Sequence, residues 1–302
     1  MNGTLNRRMV VVSLFLAVIV VPRGFAQAAR VFLSGTGTDA GDCSNAAAPC
    51  RSLQYAIDQA AAGAEVVVVS SGGYGGAFIT KSITVNAPTG VVAFVGRTIS
   101  VQIGTSDTVT LRGLSMNGAV FGDANGIHLA AGGTLNVENT VISSFANDGI
   151  YDTAALAHLW VHNCDFKKNG SAGIEVALGS AVIENSRAVE NVNYGVIGRS
   201  GTAVAIRNSV AQRNFIAFYA IGGTTELIVD SCLATHNGYG VYSQAAVGTT
   251  TTVVRIGESV MMSNATANLF VDGGGQIISQ GGNRIGGATG GTTGFTSTEA
   301  QQ

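Results

Sequence analysis

A short phrase of alternating apolar residues returns about every 23 residues along this chain of 302 residues. The first residues of six successive copies are separated by 23, 24, 22, 22 and 23 residues, and a looser copy follows after 28. The copies begin at Gly126, Gly149, Gly173, Gly195, Ala217 and Gly240, and the looser one at Asn268. So short a period, with alternation inside each copy, is typical of a solenoid built from β-strands.

Two further apolar runs keep the same period. One has the pattern apolar–x–apolar, and its last members are Val137, Val161, Ile183, Ile206, Val229 and Ile256. The other is centred on Ile142, Phe166, Ala188, Ala211, Ala234 and Met261. Three short strands in each turn of about 23 residues predict an all-β fold, a triangular coil of parallel strands.

The corner between the second and third strands carries a recurring asparagine. It is present at Asn139, Asn163, Asn185 and Asn208, and Ser231 and Glu258 take its place in later coils. Asparagine tolerates the left-handed backbone of a sharp bend, so we expect these residues to have positive φ and a structural role.

The N-terminal part of this pattern resembles a known family. The stretch from Ser52 to Ala60, followed by Gly63, Val66 to Val69 and Gly73-Tyr74, resembles the entry into the first coil of the pectate-lyase-like superfamily. The resemblance covers residues 31–285. It implies a right-handed parallel β-helix of about 8–10 coils, three short strands per coil and an N-terminal capping helix. It does not define an activity, because this superfamily includes lyases, hydrolases, epimerases and proteins of no known chemistry.

The chain divides into four predicted parts. Residues 1–28 have two arginines, Arg7 and Arg8, directly before an apolar run, and small residues at their end, which is typical of a secretory signal peptide. Residues 29–62 form an N-terminal cap with the cysteine loop and the capping helix, residues 63–285 the β-helix, and residues 286–302 a Gly/Thr-rich tail. We therefore expect a secreted or periplasmic protein with no membrane span once the signal is removed.

Charge restricts the partners. The formal net charge is −2, and removal of residues 1–28 makes it about −5 because they hold three arginines and no acid. A mildly acidic chain with 11% charged residues is a poor candidate for binding nucleic acid. An acidic polysaccharide would need a bridging cation or a local basic patch. The oligomeric state is not defined by the sequence.

The four cysteines fall into two classes. Cys43 and Cys50 lie in a polar loop before the coils, and in an exported protein we expect them to form a disulfide. Cys164 and Cys232 share one repeat position three coils apart, about 14 Å at the usual strand spacing, which is too far for a bond. We expect buried thiols there and no metal site, since no ligand spacing surrounds them.

Candidate binding residues lie on outward positions of the first strand. Alternation places one column there: His128, Tyr151, Glu175, Ile197, Tyr219, Tyr242 and Phe270. The next outward column includes Arg199. Aromatic faces suit the C–H side of a sugar ring and Glu175 and Arg199 could bind hydroxyls, which makes Tyr151, Glu175, Arg199, Tyr219 and Tyr242 the candidate substrate-binding residues. Alternatively, the rings only stack on one another for stability.

Catalytic candidates are fewer. The paired aspartates, His-Gly and Arg-x-Lys of polygalacturonases are missing, and so is the acidic calcium cluster of pectate lyases. The best local group is His128, Asp148, Asp152 and Glu175 on adjacent coils, although Asp148 also suits a turn and Asp152 an inward position near a strand end.

Two functions of different classes remain open. The first is an exported, non-catalytic β-helix that binds a polysaccharide or cell-surface glycan through the aromatic column, or that acts as a structural module. The second is a polysaccharide lyase, glycoside hydrolase or epimerase with a site near His128 and Glu175. The missing motifs favour the first. No cofactor is expected, and Ca²⁺ enters only under the lyase alternative.

Overall fold

The strands wind into a right-handed parallel solenoid of about ten turns with three sheets along its sides. The structure is a computed structural model, and it describes residues 27–248, 252–287 and 293–299. Neighbouring strands within each sheet are parallel and come from successive turns. The all-β fold with three strands per coil is therefore confirmed, and 8–10 was a sound estimate of the number of turns.

Each complete coil contributes one strand to each sheet, and the incomplete turns at the two ends make the sheets unequal in strand number. The first sheet consists of Ala77–Ile79, Ile99–Gln102, Ile127–Ala131, Ile150–Asp152, Ala172–Val176, Tyr194–Gly198, Ile216–Gly222, Tyr239–Ala245 and Ala267–Asp272. The second consists of Ala28–Leu33, Ala60–Val68, Ile83–Asn86, Thr108–Arg112, Gly133–Glu138, Ala157–His162, Ser180–Glu184, Ala203–Arg207, Glu226–Asp230, Val253–Gly257, Gln276–Ser279 and Ser297–Thr298. The third consists of Gly72–Gly73, Ala93–Val95, Leu114–Asn117, Val141–Ser143, Asp165–Lys167, Arg187–Val189, Val210–Gln212, Leu233–Thr235, Val260–Met262 and Arg284–Gly286. One α-helix, Leu53–Gln59, and one 3₁₀-helix, Gly118–Val120, complete the described elements.

The core is a set of apolar columns inside the coils. Along the strand Gly133–Glu138 buried and half-buried residues alternate, and Leu135 and Val137 are fully buried. Leu135 pairs with Leu159 and Val137 with Val161 of the next coil, so the same inward positions are apolar in every turn. This register is what a repeat of about 23 residues requires, because a shift by one residue would turn these side chains outward.

The corner between the second and third sheets has the expected left-handed backbone. The φ values at the recurring position are 49° at Asn139, 53° at Asn163, 51° at Asn185, 45° at Asn208, 52° at Ser231 and 47° at Glu258. The amide of Asn163 also donates to Oδ1 of Asn139 on the preceding coil, at 2.7 Å. The predicted bend is confirmed.

A second left-handed corner follows the third sheet. Its positive-φ residues are Ser144, Lys168, Glu190, Arg213, His236 and Ser263, with φ between 55° and 59°. After each of the last five comes a buried asparagine, and these form an amide ladder along the solenoid: Asn169, Asn191, Asn214, Asn237 and Asn264. The ladder joins five successive coils inside the protein, and the sequence analysis does not predict it.

The N-terminal end is closed by a strand, a disulfide loop and the short helix. Cys43 and Cys50 are bonded, with their Cα atoms 5.4 Å apart, as predicted. The capping helix comprises Leu53–Gln59, and Ala60 already begins a strand of the second sheet. Most of the predicted signal peptide, residues 1–26, lies outside the described residues. At the other end, the strand Ser297–Thr298 lies within the predicted tail and pairs with the strand Gln276–Ser279.

The other two cysteines are free thiols. Both are buried, 3% exposed at Cys164 and 2% at Cys232. Burial raises the pKa of each thiol to about 12, so neither is a nucleophile at neutral pH. Within the described residues no helix has the length and apolarity needed to cross a membrane.

Candidate functional site

The first sheet aligns the predicted outward residues in one column. His128 pairs with Tyr151 and Tyr151 with Glu175. The series continues through Ile197, Tyr219, Tyr242 and Phe270 without a change of register. Residues separated by 22–28 positions in the sequence are therefore neighbours on one face of the solenoid.

The middle of this column is less accessible than the sequence indicated. Glu175 and Tyr219 are each 6% exposed and Ile197 is fully covered. The covering residues form another column three positions earlier on the strands, in which Ala172 pairs with Tyr194. That column continues as Ile216, Tyr239 and Ala267.

Together these columns build a hydrophobic cluster outside the main core. We call the six rings Tyr194, Phe215, Tyr219, Tyr239, Tyr242 and Phe270 the aromatic cluster. Successive centroids are 4.9–5.6 Å apart, and the planes are tilted by 40° to 89°. Tyr219 lies beneath the others, whereas Phe215 is 53% exposed and the remaining four are half-buried. The rings do stack on one another, as the alternative interpretation expected, and they leave a half-exposed apolar surface.

A polar rim follows the C-terminal ends of these strands. The hydroxyl of Tyr219 donates to Oε1 of Gln244. The Gln244 amide donates to Oδ2 of Asp272 at 3.0 Å, and the hydroxyl of Tyr242 lies 3.4 Å from the same oxygen. Burial and the Asp272 carboxylate raise the pKa of Tyr242. The rim residues are thus held by hydrogen bonds beside the apolar rings.

Two carboxyl groups, those of Glu175 and Asp148, lie one and two coils below the aromatic cluster. Arg199 Nε donates to Oε1 of Glu175 at 2.6 Å, in an ion pair whose carboxylate side chain is 8% exposed. Asp148 is buried, and its Oδ1 accepts a hydrogen bond from the backbone N–H of Ala172 at 2.9 Å. Burial, with a further contribution from the negative charge of Glu175, raises the pKa of Asp148 to about 6.

Tyr151 and His128 continue the column on the two coils below Glu175. Their rings stack with centroids 5.4 Å apart and an angle of 19°. His128 Nε2 is 3.1 Å from the hydroxyl of Thr153, and burial lowers the pKa of the imidazole. His128, Tyr151, Glu175 and Arg199 are therefore neighbours on one face of the solenoid.

Asp152 is separate from this surface. It lies on an inward position between Leu129 and Val176 and is fully buried. Its Oδ1 accepts from the N–H of Ala154 at 3.0 Å, and its Oδ2 has no hydrogen-bond partner among the described residues. Burial raises the pKa of this carboxyl to about 7. A group inside the core does not face the ligand side, so we do not count Asp152 in the candidate site.

No metal centre is visible in the part of the chain that the structure describes, where no three His, Cys, Asp or Glu side chains come close enough to share an ion. The site residues that sequence reasoning missed are Tyr194, Phe215, Tyr239 and Asp272. Two of them had a signal, because Tyr194-Gly195-Val196 and Tyr239-Gly240-Val241 are the same tripeptide two coils apart.

Solved structures with the same fold include two enzymes. Pectate lyase Pel9A superposes with a TM-score of 0.54 at 15% identity, over 92% of this chain and 80% of that one. The GH136 lacto-N-biosidase from Eubacterium ramulus gives 0.56 at 12% identity, over 90% of this chain and 68% of that one. At such identities the likeness establishes the fold. No curated protein sequence matches the chain.

A family model does match the sequence. It is described as a right handed beta helix region, and the match spans residues 99–255, which is just over half of the chain. Those residues include nearly all of the column and the rings on which the candidate site is built. The chain belongs to this family of right-handed β-helix proteins.

Proposed function

We propose that this protein is exported and binds a polysaccharide or a cell-surface glycan through the aromatic cluster. The observation that carries the proposal is the set of six touching rings on one outward face, five of them at least partly exposed. Large apolar surfaces rimmed by polar groups mark interaction sites on soluble proteins, and aromatic rings pack on the C–H faces of sugars. The disulfide supports export, and both structural neighbours, a pectate lyase and a lacto-N-biosidase, are enzymes named for a carbohydrate substrate.

Binding by ring-deleted variants tests this function. Tyr239→Ala with Tyr242→Ala should weaken retention on a panel of immobilised glycans by at least about tenfold, because both rings are half-exposed. Trp160→Ala is the matched control. Its ring is also half-exposed, but it lies on the second sheet and stacks on His162 at 5.5 Å. Equal retention of all three proteins would contradict the proposal, provided that their melting temperatures show that each is folded.

A second candidate function is hydrolysis or elimination at the Asp148–Glu175 pair. One buried carboxyl with a pKa of about 6 beside an ion-paired carboxylate is a pattern found in acid–base catalysis. A purely structural role for Asp148 competes with catalysis, since its carboxylate also accepts a hydrogen bond from the N–H of Ala172, at the start of the first-sheet strand of the next coil.

Product assays separate the two functions. Reducing ends and unsaturated products should be measured over a polysaccharide panel, with calcium and with a chelator, for wild type, Glu175→Gln and Asp148→Asn. Catalysis with protonated Asp148 as the general acid predicts turnover that both variants lose and that declines as pH rises through about 6. Binding alone predicts no product from any of the three.

A further inference from the structure

We propose that the ligand of the aromatic cluster is a neutral glycan and that polymers of uronic acids are excluded. This inference rests on the proposed glycan-binding function and adds the chemical class of the ligand. It follows from the charges and hydrogen-bond donors around the rings.

Two arginines on the coils that carry these rings are already ion-paired. Arg199 is ion-paired with Glu175 at 2.6 Å. Arg213, two residues before Phe215, is ion-paired with Glu190 at 3.1 Å. A uronate carboxylate needs a cation or several N–H donors to replace its water, and these guanidinium groups would have to leave their partners first.

The rim also carries a carboxylate, that of Asp272. Asp272 is exposed, and within the described residues none of its contacts is an ion pair. Its side chain accepts from the Gln244 amide, from the backbone N–H of Gly273 at 2.7 Å and from the Tyr242 hydroxyl. A uronate chain lying on the rings would bring like charges together at this point, which costs binding energy.

The hydrogen-bond directions at the rim favour hydroxyl donors. The Tyr219 proton is given to Gln244, and a Gln244 proton is given to Asp272. Tyr242 likewise directs its proton toward Asp272 and keeps its lone pairs for a ligand. The groups that face outward are therefore mainly acceptors. Neutral sugars present many O–H donors to such a rim, whereas an ionised carboxylate can only accept.

The experiment compares neutral and acidic oligosaccharides of similar length. Calorimetric titrations should use β-linked glucose, xylose and N-acetylglucosamine oligomers against oligogalacturonate, with wild type, Asp272→Asn and Asp230→Asn. Asp230 is the control because its carboxylate belongs to the second sheet, 3.9 Å from Arg207. We expect wild type to bind a neutral oligomer at least about tenfold more tightly than the uronate. Asp272→Asn should reduce the ratio between the affinities for the neutral oligomer and for the uronate. Asp230→Asn should leave this ratio unchanged.

Each other outcome has a defined meaning. Uronate binding as tight as neutral binding would overturn this inference and leave the proposed function standing. Unchanged selectivity in Asp272→Asn would show that the rim carboxylate does not discriminate, which also overturns the inference. Failure of every oligomer to bind the folded protein would refute the proposed function, and this inference with it.

Discussion

At the scale of single residues, the most unusual group is the Asp152 carboxyl. Its column is otherwise small or apolar: Leu129 and Val176 lie directly above and below it. A buried carboxyl with one unpartnered oxygen costs free energy, and most of that cost is avoided if it stays protonated. Folding therefore raises the pKa of Asp152 from the ordinary 3.8 to about 7.

Stability should consequently depend on pH through this residue. Between pH 3.8 and about 7 the native protein holds a proton that the unfolded chain has lost, so stability falls as pH rises through that range. Asp152→Asn removes the effect. It should raise the free energy of unfolding by about 2–4 kcal/mol at pH 8 and change it little at pH 4.

Denaturant titrations of the Asp152 variant at both pH values check this expectation. Asp230→Asn is the control, because a half-buried surface carboxylate in an ion pair of 3.9 Å changes stability by less than about 1 kcal/mol. A gain from Asp152→Asn that is the same at pH 4 and pH 8 would contradict the assigned protonation.

At the scale of strands and corners, the asparagine ladder joins the coils. Asn191 Oδ1 accepts from both the backbone N–H and the amide of Asn169, at 3.1 and 3.0 Å. The Asn191 amide donates to the carbonyl of Phe166 and to Oδ1 of Asn214, at 3.3 and 3.1 Å. Each buried asparagine thus satisfies polar groups on the coils before and after it.

Removal of one ladder member should be costly. Asn191→Ala leaves buried donors and an acceptor on neighbouring coils without partners, so we expect a loss of at least about 2 kcal/mol in the free energy of unfolding. Asn163→Gly at the outer corner should cost less than about 1 kcal/mol, since glycine adopts its φ of 53° freely and the lost contact is exposed. Equal losses in chemical denaturation would show that the inner ladder has no special role.

The same corners show how far the sequence determines this fold. The corner between the second and third sheets was predictable because asparagine itself tolerates φ near 50°. The corner that follows the third sheet was not predictable, because Lys168, Glu190 and Arg213 have no preference for the left-handed region. Their conformation is imposed by the buried asparagine that follows each of them, which is a tertiary effect.

The candidate site divides in the same way. Alternation within the first strand, together with the repeat of about 23 residues, places His128, Tyr151 and Glu175 in one column. The register of the strands confirms this column. This pattern does not reveal that Tyr194 and Tyr239 also point outward and cover Tyr219. The reason is that the alternation of inward and outward side chains is interrupted at the glycine that follows each of these two tyrosines. Exposure in a solenoid therefore depends on neighbouring columns as well as on the strand itself.

At the scale of the whole molecule, each coil contacts mainly the coils on either side. Interactions in such a solenoid are local, so a terminal cap can lose structure without unfolding the interior. The strand Ala28–Leu33 is held at this end by pairing with Ala60–Val68 and by bonds to the disulfide loop. Phe32 donates to the carbonyl of Cys43 at 2.9 Å and accepts from the N–H of Cys50 at 2.8 Å.

Removal of the disulfide should loosen this cap alone. The bonded cysteines are seven positions apart in the sequence, so the lost stabilisation is about 2 kcal/mol, which corresponds to about 30-fold faster amide exchange by local opening. Hydrogen exchange of the double variant Cys43→Ser, Cys50→Ser should show this acceleration within residues 28–50 and unchanged protection in the coils near Asn191. Cys164→Ser is the control, because Ser186 and Ser209 occupy the same column and bond the coils there. If exchange accelerated evenly along every coil, the solenoid would be one cooperative unit and the cap would not be an independent element.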